Sequence, residues 1–125
     1  MSDSLRLLHV DDDPDIQEVA KMALEVIGGF TVHQCPSGAE ALKDAEVFKP
    51  DIFLLDVMMP EMSGEQLFAK LRDIPALANV PAIFMTARVQ KSEVVALKKL
   101  GAIEVIEKPF DAMTLSDQIR TAMGN

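Results

Sequence analysis

Hydrophobic residues occur in five short runs along this chain, and each run is followed by a longer stretch with apolar residues at helical spacing. The lengths of the apolar runs are those of β-strands. Ile52–Leu55 contains no polar residue, which is typical of a strand buried on both faces. The predicted strands are Leu5–Val10, Phe30–Cys35, Asp51–Val57, Val80–Thr86 and Ile103–Glu107.

The stretches that follow the predicted strands carry helix signals. Asp13 followed by Pro14 predicts a capped helix start, and Gly28-Gly29 predicts the end of that helix. Ser37 and Glu40 have the spacing of a capping box. The apolar positions that define the five helices are Ile16, Val19, Ala20, Ala23, Leu24 and Ile27, then Ala41, Ala45 and Phe48, then Leu67, Phe68 and Leu71, then Val94, Leu97 and Leu100, and finally Leu115, Ile119 and Ala122.

Strict alternation of strands and helices predicts parallel strands joined by right-handed crossovers, with helices on both faces of the sheet. The sequence contains no fixed-period repeat, low-complexity segment or linker. We therefore expect one doubly wound α/β domain over residues 1–125, without an output domain.

Composition narrows the class of protein. The net charge of −8 argues against direct nucleic-acid binding, because such a surface repels a phosphate backbone. No apolar run is long enough to span a membrane, so we expect no membrane insertion. The single cysteine, Cys35, predicts a reducing, cytoplasmic setting. No Cys/His cluster has zinc spacing, and His9 and His33 have no carboxylate at ligand spacing, so both histidines are interpreted as structural.

Polar side chains stand where the predicted strands end. In an open parallel sheet, binding sites form at the carboxyl ends of the strands. Strand two ends in Cys35-Pro36, which offers little chemistry. The other four strands deliver acidic, hydroxyl and ammonium groups to one edge of the sheet, namely Asp11, Asp12 and Asp13, Asp56, Thr86 with Ala87, and Lys108.

The chemistry of this set favours phosphoryl transfer. Carboxylates gathered in one crevice repel one another, and a hard dication such as Mg²⁺ relieves that repulsion. Asp56 is then the candidate nucleophile, which would form an acyl phosphate. Thr86 and Lys108 are candidates to stabilise the phosphoryl charge, and Ala87 would leave space beside it. Asp13 is interpreted as a helix cap.

These motifs, in this order, resemble the receiver domain of two-component response regulators, of the stand-alone chemotaxis-regulator kind. The resemblance covers essentially the whole chain. The residues that carry it are Leu8–Pro14, Asp51–Gly64, Met85-Thr86-Ala87, Gly101-Ala102 and Lys108-Pro109-Phe110. It implies a flavodoxin-like (βα)5 fold with strand order 2-1-3-4-5.

The resemblance also implies roles for individual residues. Asp56 would accept the phosphoryl group as a 4-aspartylphosphate, and Asp11, Asp12, Asp56 and the backbone carbonyl of Met58 would hold Mg²⁺, with Mn²⁺ as a possible substitute. Thr86, Ala87 and Lys108 would contact the phosphoryl group. The peptide bond between Lys108 and Pro109 would be cis. The implied donor is a histidine kinase or a histidine phosphotransfer protein, and the implied assembly is a monomer or a weak phosphorylation-dependent dimer.

Three positions distinguish this chain from the usual family pattern. Val105 stands where the family usually has Tyr or Phe as the partner of the switch residue Thr86, so signal output would rely more on loop or backbone shifts. Met58 and Arg88 occupy the positions that tune phosphoryl lifetime, and an apolar Met58 predicts slow autodephosphorylation.

Three other classes of function remain as alternatives. A magnesium phosphatase of the haloacid dehalogenase-like group needs an acid two residues after its nucleophile, where this chain has Met58. A flavin or nucleotide binder needs a Gly/Ser/Thr-rich anion cradle after the first strand, where this chain has the acidic run Asp11–Asp13. A receiver-like scaffold that never accepts phosphate would not need the acceptor, the acidic pair and the lysine together.

Overall fold

The computed structural model describes residues 4–87 and 90–124. The strands are β1 (Arg6–Val10), β2 (Thr31–Cys35), β3 (Ile52–Asp56), β4 (Ala82–Thr86) and β5 (Glu104–Glu107). The helices are α1 (Pro14–Met22), α2 (Gly38–Phe48), α3 (Gly64–Arg72), α4 (Lys91–Leu100) and α5 (Leu115–Ala122). A π-helical turn (Ala23–Ile27) continues α1, and a 3₁₀ turn (Pro75–Leu77) follows α3.

All strand pairings are parallel, and the order across the sheet is β2-β1-β3-β4-β5. This confirms the strand order that the family resemblance implied. The chain reverses direction across the sheet between β1 and β3, because β2 lies outside β1 while β3 pairs with its other side. Such a switch point opens a crevice at the carboxyl ends of β1 and β3.

Alternate strand residues face opposite helical layers. Leu8, Phe53, Leu55 and Phe84 pack with α2, α3 and α4, whereas Leu7, Ile52, Leu54 and Ile83 pack with α1 and α5. Because side chains alternate along each strand, the same four or five residues contribute to the hydrophobic cores on both faces of the sheet. Helices on both faces confirm the predicted doubly wound architecture.

The first helical segment corrects the sequence expectation of one continuous helix. Its α-helical part ends at Met22, and the last turn is a π-helix. The carbonyl oxygen of Ala23 accepts bonds from Gly28 N (3.1 Å) and from Ser116 Oγ of α5 (3.0 Å). Val19 and Ile27, assigned to the apolar stripe, are 43% and 46% exposed. Leu100 of α4 is likewise exposed, so the buried stripes are narrower than the sequence predicted.

None of the helices in the described ranges combines the length and apolarity that crossing a bilayer requires.

Candidate functional site

A lysine joins two carboxylates at the carboxyl edge of the sheet. Lys108 Nζ lies 2.9 Å from Asp11 Oδ2 and 2.9 Å from Asp56 Oδ1. The carboxylates come from the ends of β1 and β3, on either side of the switch point, and the lysine follows β5. Both aspartates are buried, and the Lys108 side chain is only 17% exposed. The pocket therefore holds three charged groups in contact and largely away from solvent.

The loop after β1 is fixed by short local hydrogen bonds. Asp13 N donates to Asp11 Oδ1 (3.0 Å), and Gln17 Nε2 donates to the Asp11 carbonyl (2.6 Å). Asp13 caps α1, as predicted, because its Oδ1 accepts from Asp15 N (2.9 Å). Asp12 lies between these anchored residues and is exposed. Asp11 is thus held inside the pocket while Asp12 stands at its solvent side.

The backbone at Asp56 is held by β4 and by the start of α3. Val57 N donates to the Met85 carbonyl (3.0 Å), and Gly64 N donates to the Val57 carbonyl (3.0 Å). Gly64 packs so closely that a Cβ there would lie 2.2 Å from the carbonyl oxygen of Asp56. Only glycine permits this approach. The start of α3 is therefore packed directly against the backbone of Asp56 and Val57.

Burial and charge shift the proton affinities in the pocket. Burial raises the pKa of the Asp56 carboxyl above its ordinary value, and the Asp11 charge adds to this rise despite the opposing effect of Lys108. Burial acts to lower the pKa of Lys108, but hydrogen bonding and charge attraction to Asp56 and Asp11 outweigh it and raise that pKa. Lys108 therefore keeps its proton firmly, whereas the surroundings of Asp56 disfavour its charged form.

The three acidic residues fit a hard dication. Oxygen atoms of Asp11, Asp12 and Asp56 lie within 4.8 Å of one another. Apart from the ion pair with Lys108, Asp11 Oδ2 is buried with no hydrogen-bond donor among the described residues. Carboxylate oxygens are the ligands that Mg²⁺ prefers in proteins. The all-oxygen donor set therefore matches a magnesium ion better than any softer metal.

The remaining predicted residues surround this pocket. Thr86 is buried at the end of β4, and its carbonyl accepts from Lys108 N (2.8 Å), which ties the two strand ends together. Ala87 follows it and is exposed. A cavity of about 270 Å³ beside the pocket is lined by Val57, Met58, Glu65, Thr86, Glu93, Ala96 and Leu97. The Lys108-Pro109 peptide is cis, as the family resemblance implied.

Two of the three positions at which the sequence was compared with the family pattern, Val105 and Met58, lie within the described residues. Val105 is partly buried in β5, pairs in register with Phe84, and packs against the core on the α2–α4 side of the sheet. Met58 is 74% exposed and lines the cavity beside the pocket. Arg88 lies outside the described residues.

A buried polar network behind Asp11 was missed by sequence reasoning. Gln34 Nε2 donates to the Gln17 carbonyl (2.7 Å) and lies 3.1 Å from His9 Nδ1. Because an amide nitrogen only donates, Nδ1 accepts and the neutral ring carries its proton on Nε2. That nitrogen lies 4.0 Å from Asp11 Oδ2. His9, two positions before Asp11, was the available signal, but its partner Gln34 lies on β2 and Gln17 lies on α1.

His33 and Cys35 have a carboxylate partner that the sequence analysis did not identify. His33 Nε2 lies 2.9 Å from Asp44 Oδ2, although Asp44 is eleven positions away in sequence. Cys35 Sγ lies 3.8 Å from the same oxygen. The sequence showed no carboxylate at ligand spacing because the pairing joins β2 to α2. The end of β2 therefore carries more chemistry than its sequence suggested.

Comparison with known proteins agrees with this architecture. The family model described as response regulator receiver domain matches residues 7–120. The chain is also 37% identical over 123 residues to the transcriptional regulatory protein CseB of Streptomyces coelicolor, which covers 98% of this chain and 51% of CseB. The chain thus spans about half the length of that relative. It belongs to the response regulator receiver domain family, which confirms the resemblance inferred from its motifs.

Solved structures give the same assignment. The chemotaxis protein CheY4 of Vibrio cholerae superposes with a TM-score of 0.89 at 26% identity, covering 96% of this chain and 99% of CheY4. A receiver domain of a signal transduction histidine kinase from Syntrophus aciditrophicus has a TM-score of 0.82 at 30% identity, covering 97% and 91% of the two chains. Similar domains therefore occur in proteins of quite different organisation.

Proposed function

We propose that this chain is a phosphorylation-dependent switch of a two-component system or phosphorelay, and that Asp56 is its phosphoryl acceptor. The observation that carries the proposal is the double contact of Lys108 with Asp11 and Asp56 beside a third carboxylate. A buried carboxylate with raised proton affinity, next to a fixed cation and a dication site, has the means to become an acyl phosphate.

The chemistry is a transfer of one phosphoryl group from a phosphohistidine. An Asp56 oxygen forms a bond to phosphorus while the P–N bond breaks, and the imidazole of the donor keeps the bonding electron pair. Lys108 follows the charge from the carboxylate to the new phosphoryl oxygens. Thr86 Oγ1 donates to one of those oxygens, and Ala87 leaves room for the group. A magnesium ion bound by Asp11, Asp12, Asp56 and the Met58 carbonyl would neutralise charge that develops on the phosphoryl oxygens.

The switch would work by altering partner binding rather than by turnover of an external substrate. The donor is a histidine kinase or a histidine phosphotransfer protein, the setting is cytoplasmic, and the domain acts as a monomer or a weak phosphorylation-dependent dimer. Val105 stands where the family usually has an aromatic residue, so the usual coupling between the threonine and an aromatic ring does not apply to Thr86. Signal transmission then relies more on loop or backbone shifts.

A mass measurement tests the proposal. The protein is incubated with acetyl phosphate or phosphoramidate, with Mg²⁺ or with a chelator, and the intact mass is recorded. We expect one phosphoryl adduct that requires the metal and is absent from Asp56→Ala. Asp73→Ala, which changes an exposed aspartate at the end of α3, serves as the matched control and should be phosphorylated normally. Absence of an adduct under all conditions would overturn the proposal.

Phosphoryl lifetime is part of the same proposal. The exposed Met58 side chain lines the cavity beside the pocket, and an apolar group there hinders the approach of water. We therefore propose slow autodephosphorylation. Loss of the phosphoryl group within seconds from the purified protein would contradict this. Steady release of phosphate from many external monoesters would instead favour the phosphatase alternative.

A further inference from the structure

Three metal-ligating side chains converge at the outer edge of the sheet, away from the acidic pocket. His33 and Cys35 are two positions apart on β2, so they project to the same face of the strand. Asp44 projects from α2, which covers that face. His33 Nε2, Cys35 Sγ and a carboxylate oxygen of Asp44 all lie within 4.8 Å of one another. This group, His33, Cys35 and Asp44, is called the β2–α2 cluster below.

From this geometry we propose that the β2–α2 cluster is a second metal site, selective for a borderline-soft dication such as Zn²⁺. A tetrahedral zinc ion with bonds of about 2.0–2.3 Å places its ligands roughly 3–4 Å apart. The separations from Asp44 Oδ2 are 2.9 Å to His33 Nε2 and 3.8 Å to Cys35 Sγ. Only small side-chain shifts are therefore needed to enclose an ion.

The donor atoms decide which metal fits. One imidazole nitrogen, one sulfur and one carboxylate oxygen form a set that suits zinc and disfavours Mg²⁺, which prefers oxygen alone. On binding, the thiol releases its proton to the buffer and the ion replaces the hydrogen bond between His33 and Asp44. A thiolate, a carboxylate and a neutral imidazole balance the charge of a dication. The assembled site therefore carries no net charge.

The site has access to solvent and room for a fourth ligand. The side chains of His33 and Asp44 are 40% and 34% exposed. Both line a cavity of about 420 Å³ whose other walls are Arg6, Val47 and Phe48. The Arg6 guanidinium is engaged elsewhere, with Nε donating to the Phe48 carbonyl (2.9 Å) and the group stacked on the Phe48 ring. Three protein ligands facing an open cavity leave one position for water or for a group from a partner.

A backbone hydrogen bond connects this cluster to the acidic pocket. The carbonyl oxygen of Cys35 accepts the N–H of Asp11 (3.2 Å). The sulfur and the carbonyl that supports Asp11 thus belong to the same residue. The two sites still differ in chemistry, because the acidic pocket offers only oxygen ligands. A thiophilic metal ion distinguishes them directly.

Cobalt provides the probe. Co²⁺ is titrated into the reduced protein in the presence of excess Mg²⁺, which occupies the acidic pocket. We expect one equivalent to bind, with a thiolate-to-cobalt charge-transfer band and tetrahedral visible bands, and with displacement by Zn²⁺. Cys35→Ser should abolish the charge-transfer band. His33→Gln and Asp44→Asn should each weaken binding by at least about tenfold. Mutation of residues that only support metal ligands already causes a loss of this size.

Two control variants define the outcomes. Glu46→Gln changes an exposed acid on α2, and Asp12→Asn changes the acidic pocket, so both should leave the cobalt spectrum unchanged. Absence of a thiolate band in the wild-type protein would overturn the proposal. It would also be overturned if His33→Gln and Asp44→Asn, which alter half-exposed side chains and should fold, bound Co²⁺ as the wild type does. Loss of binding in Asp12→Asn would place the ion in the acidic pocket instead.

Discussion

Lys108 Nζ lies 2.9 Å from Asp56 Oδ1 and the same distance from Asp11 Oδ2, so one ammonium group bridges carboxylates from two different strands. The Asp56 carboxylate cannot change its charge or position without affecting this contact. If a phosphoryl group is added to Asp56, the negative charge moves outward to the phosphoryl oxygens. The ammonium group of Lys108 is then attracted to those oxygens. In the proposed switch, this ion pair would hold the unphosphorylated state and would rearrange on phosphorylation.

Removal of this cation gives the first prediction. We expect Lys108→Met to slow phosphorylation by acetyl phosphate on the order of a hundredfold, the cost of losing one charge-stabilising group in an enclosed site. Intact-mass time courses at saturating Mg²⁺ measure the rate. Lys98→Met, which alters an exposed lysine paired with Glu104 at 3.6 Å, is the matched control. Equal rates for Lys108→Met and wild type would exclude a role for Lys108 in the transfer.

A second prediction concerns the stability cost of the acidic pocket. The raised pKa of Asp56, caused first by its burial, means that the folded state binds this proton more tightly than the unfolded state does. Ionisation as pH rises past the ordinary carboxyl range therefore lowers the free energy of unfolding. Asp56→Asn removes that charge, and we expect it to raise the Tm at pH 7 in the presence of a chelator.

The same variant should respond less to magnesium. If Mg²⁺ binds the folded state at the proposed site, it should raise the Tm of the wild type, and this gain should shrink in Asp56→Asn because one ligand is lost. Thermal unfolding with and without Mg²⁺ measures both effects. Asp73→Asn, on the surface, should resemble wild type in each condition. A metal-free Asp56→Asn protein less stable than wild type would show that the contact with Lys108 outweighs the cost of burial.

The third prediction uses the buried histidine. Burial first, and the Lys108 charge second, lower the pKa of His9 to about 4 from its ordinary value of 6.5. Between these values the unfolded chain binds a proton that the folded chain refuses, so stability falls as pH drops through this window. From pH 7 to pH 5 this one residue should cost about 2 kcal/mol.

Urea denaturation with a chelator present checks this value. The free energy of unfolding of the wild type and of His9→Leu is compared at pH 7 and pH 5. Because His9 is buried, replacing it changes stability at both pH values, so the informative quantity is the difference between the two slopes. We expect the wild type to lose more stability on acidification than the variant. Identical slopes would show that His9 titrates normally in the folded protein.

Sequence patterns predicted the sheet and the acidic pocket because both depend on local rules. Apolar runs define strands, and the carboxyl ends of parallel strands meet at one edge, so Asp11, Asp56 and Lys108 had to be close. The helix starts at Asp13 and Ser37 were likewise readable from cap residues. Such features need only the order of residues and the topology.

Features that depend on contacts between elements were not predictable. The pairing of His33 with Asp44 requires knowing how α2 lies over β2, and the contact of His9 with Gln34 requires the register of β1 and β2. The carbonyl of Ala23, in the π-helical turn, accepts a hydrogen bond from Ser116 of α5, more than ninety positions away. The reciprocal capping box at Ser63 and Gln66 is different, because it is a local feature whose residue spacing is visible in the sequence.

The last prediction compares two glycines at the first position of a helix. A Cβ at Gly64 of α3 would lie 2.2 Å from the Asp56 carbonyl oxygen, which is fixed backbone. A Cβ at Gly38 of α2 would meet the Met62 sulfur at 2.6 Å, and that flexible side chain can move aside. We expect Gly64→Ala to cost about 1–3 kcal/mol of stability and to slow phosphorylation of Asp56, whereas Gly38→Ala should cost less and leave the rate unchanged. Urea denaturation and intact-mass time courses measure the two effects. If the variants behave alike, the close packing of α3 on Asp56 does not position the acceptor.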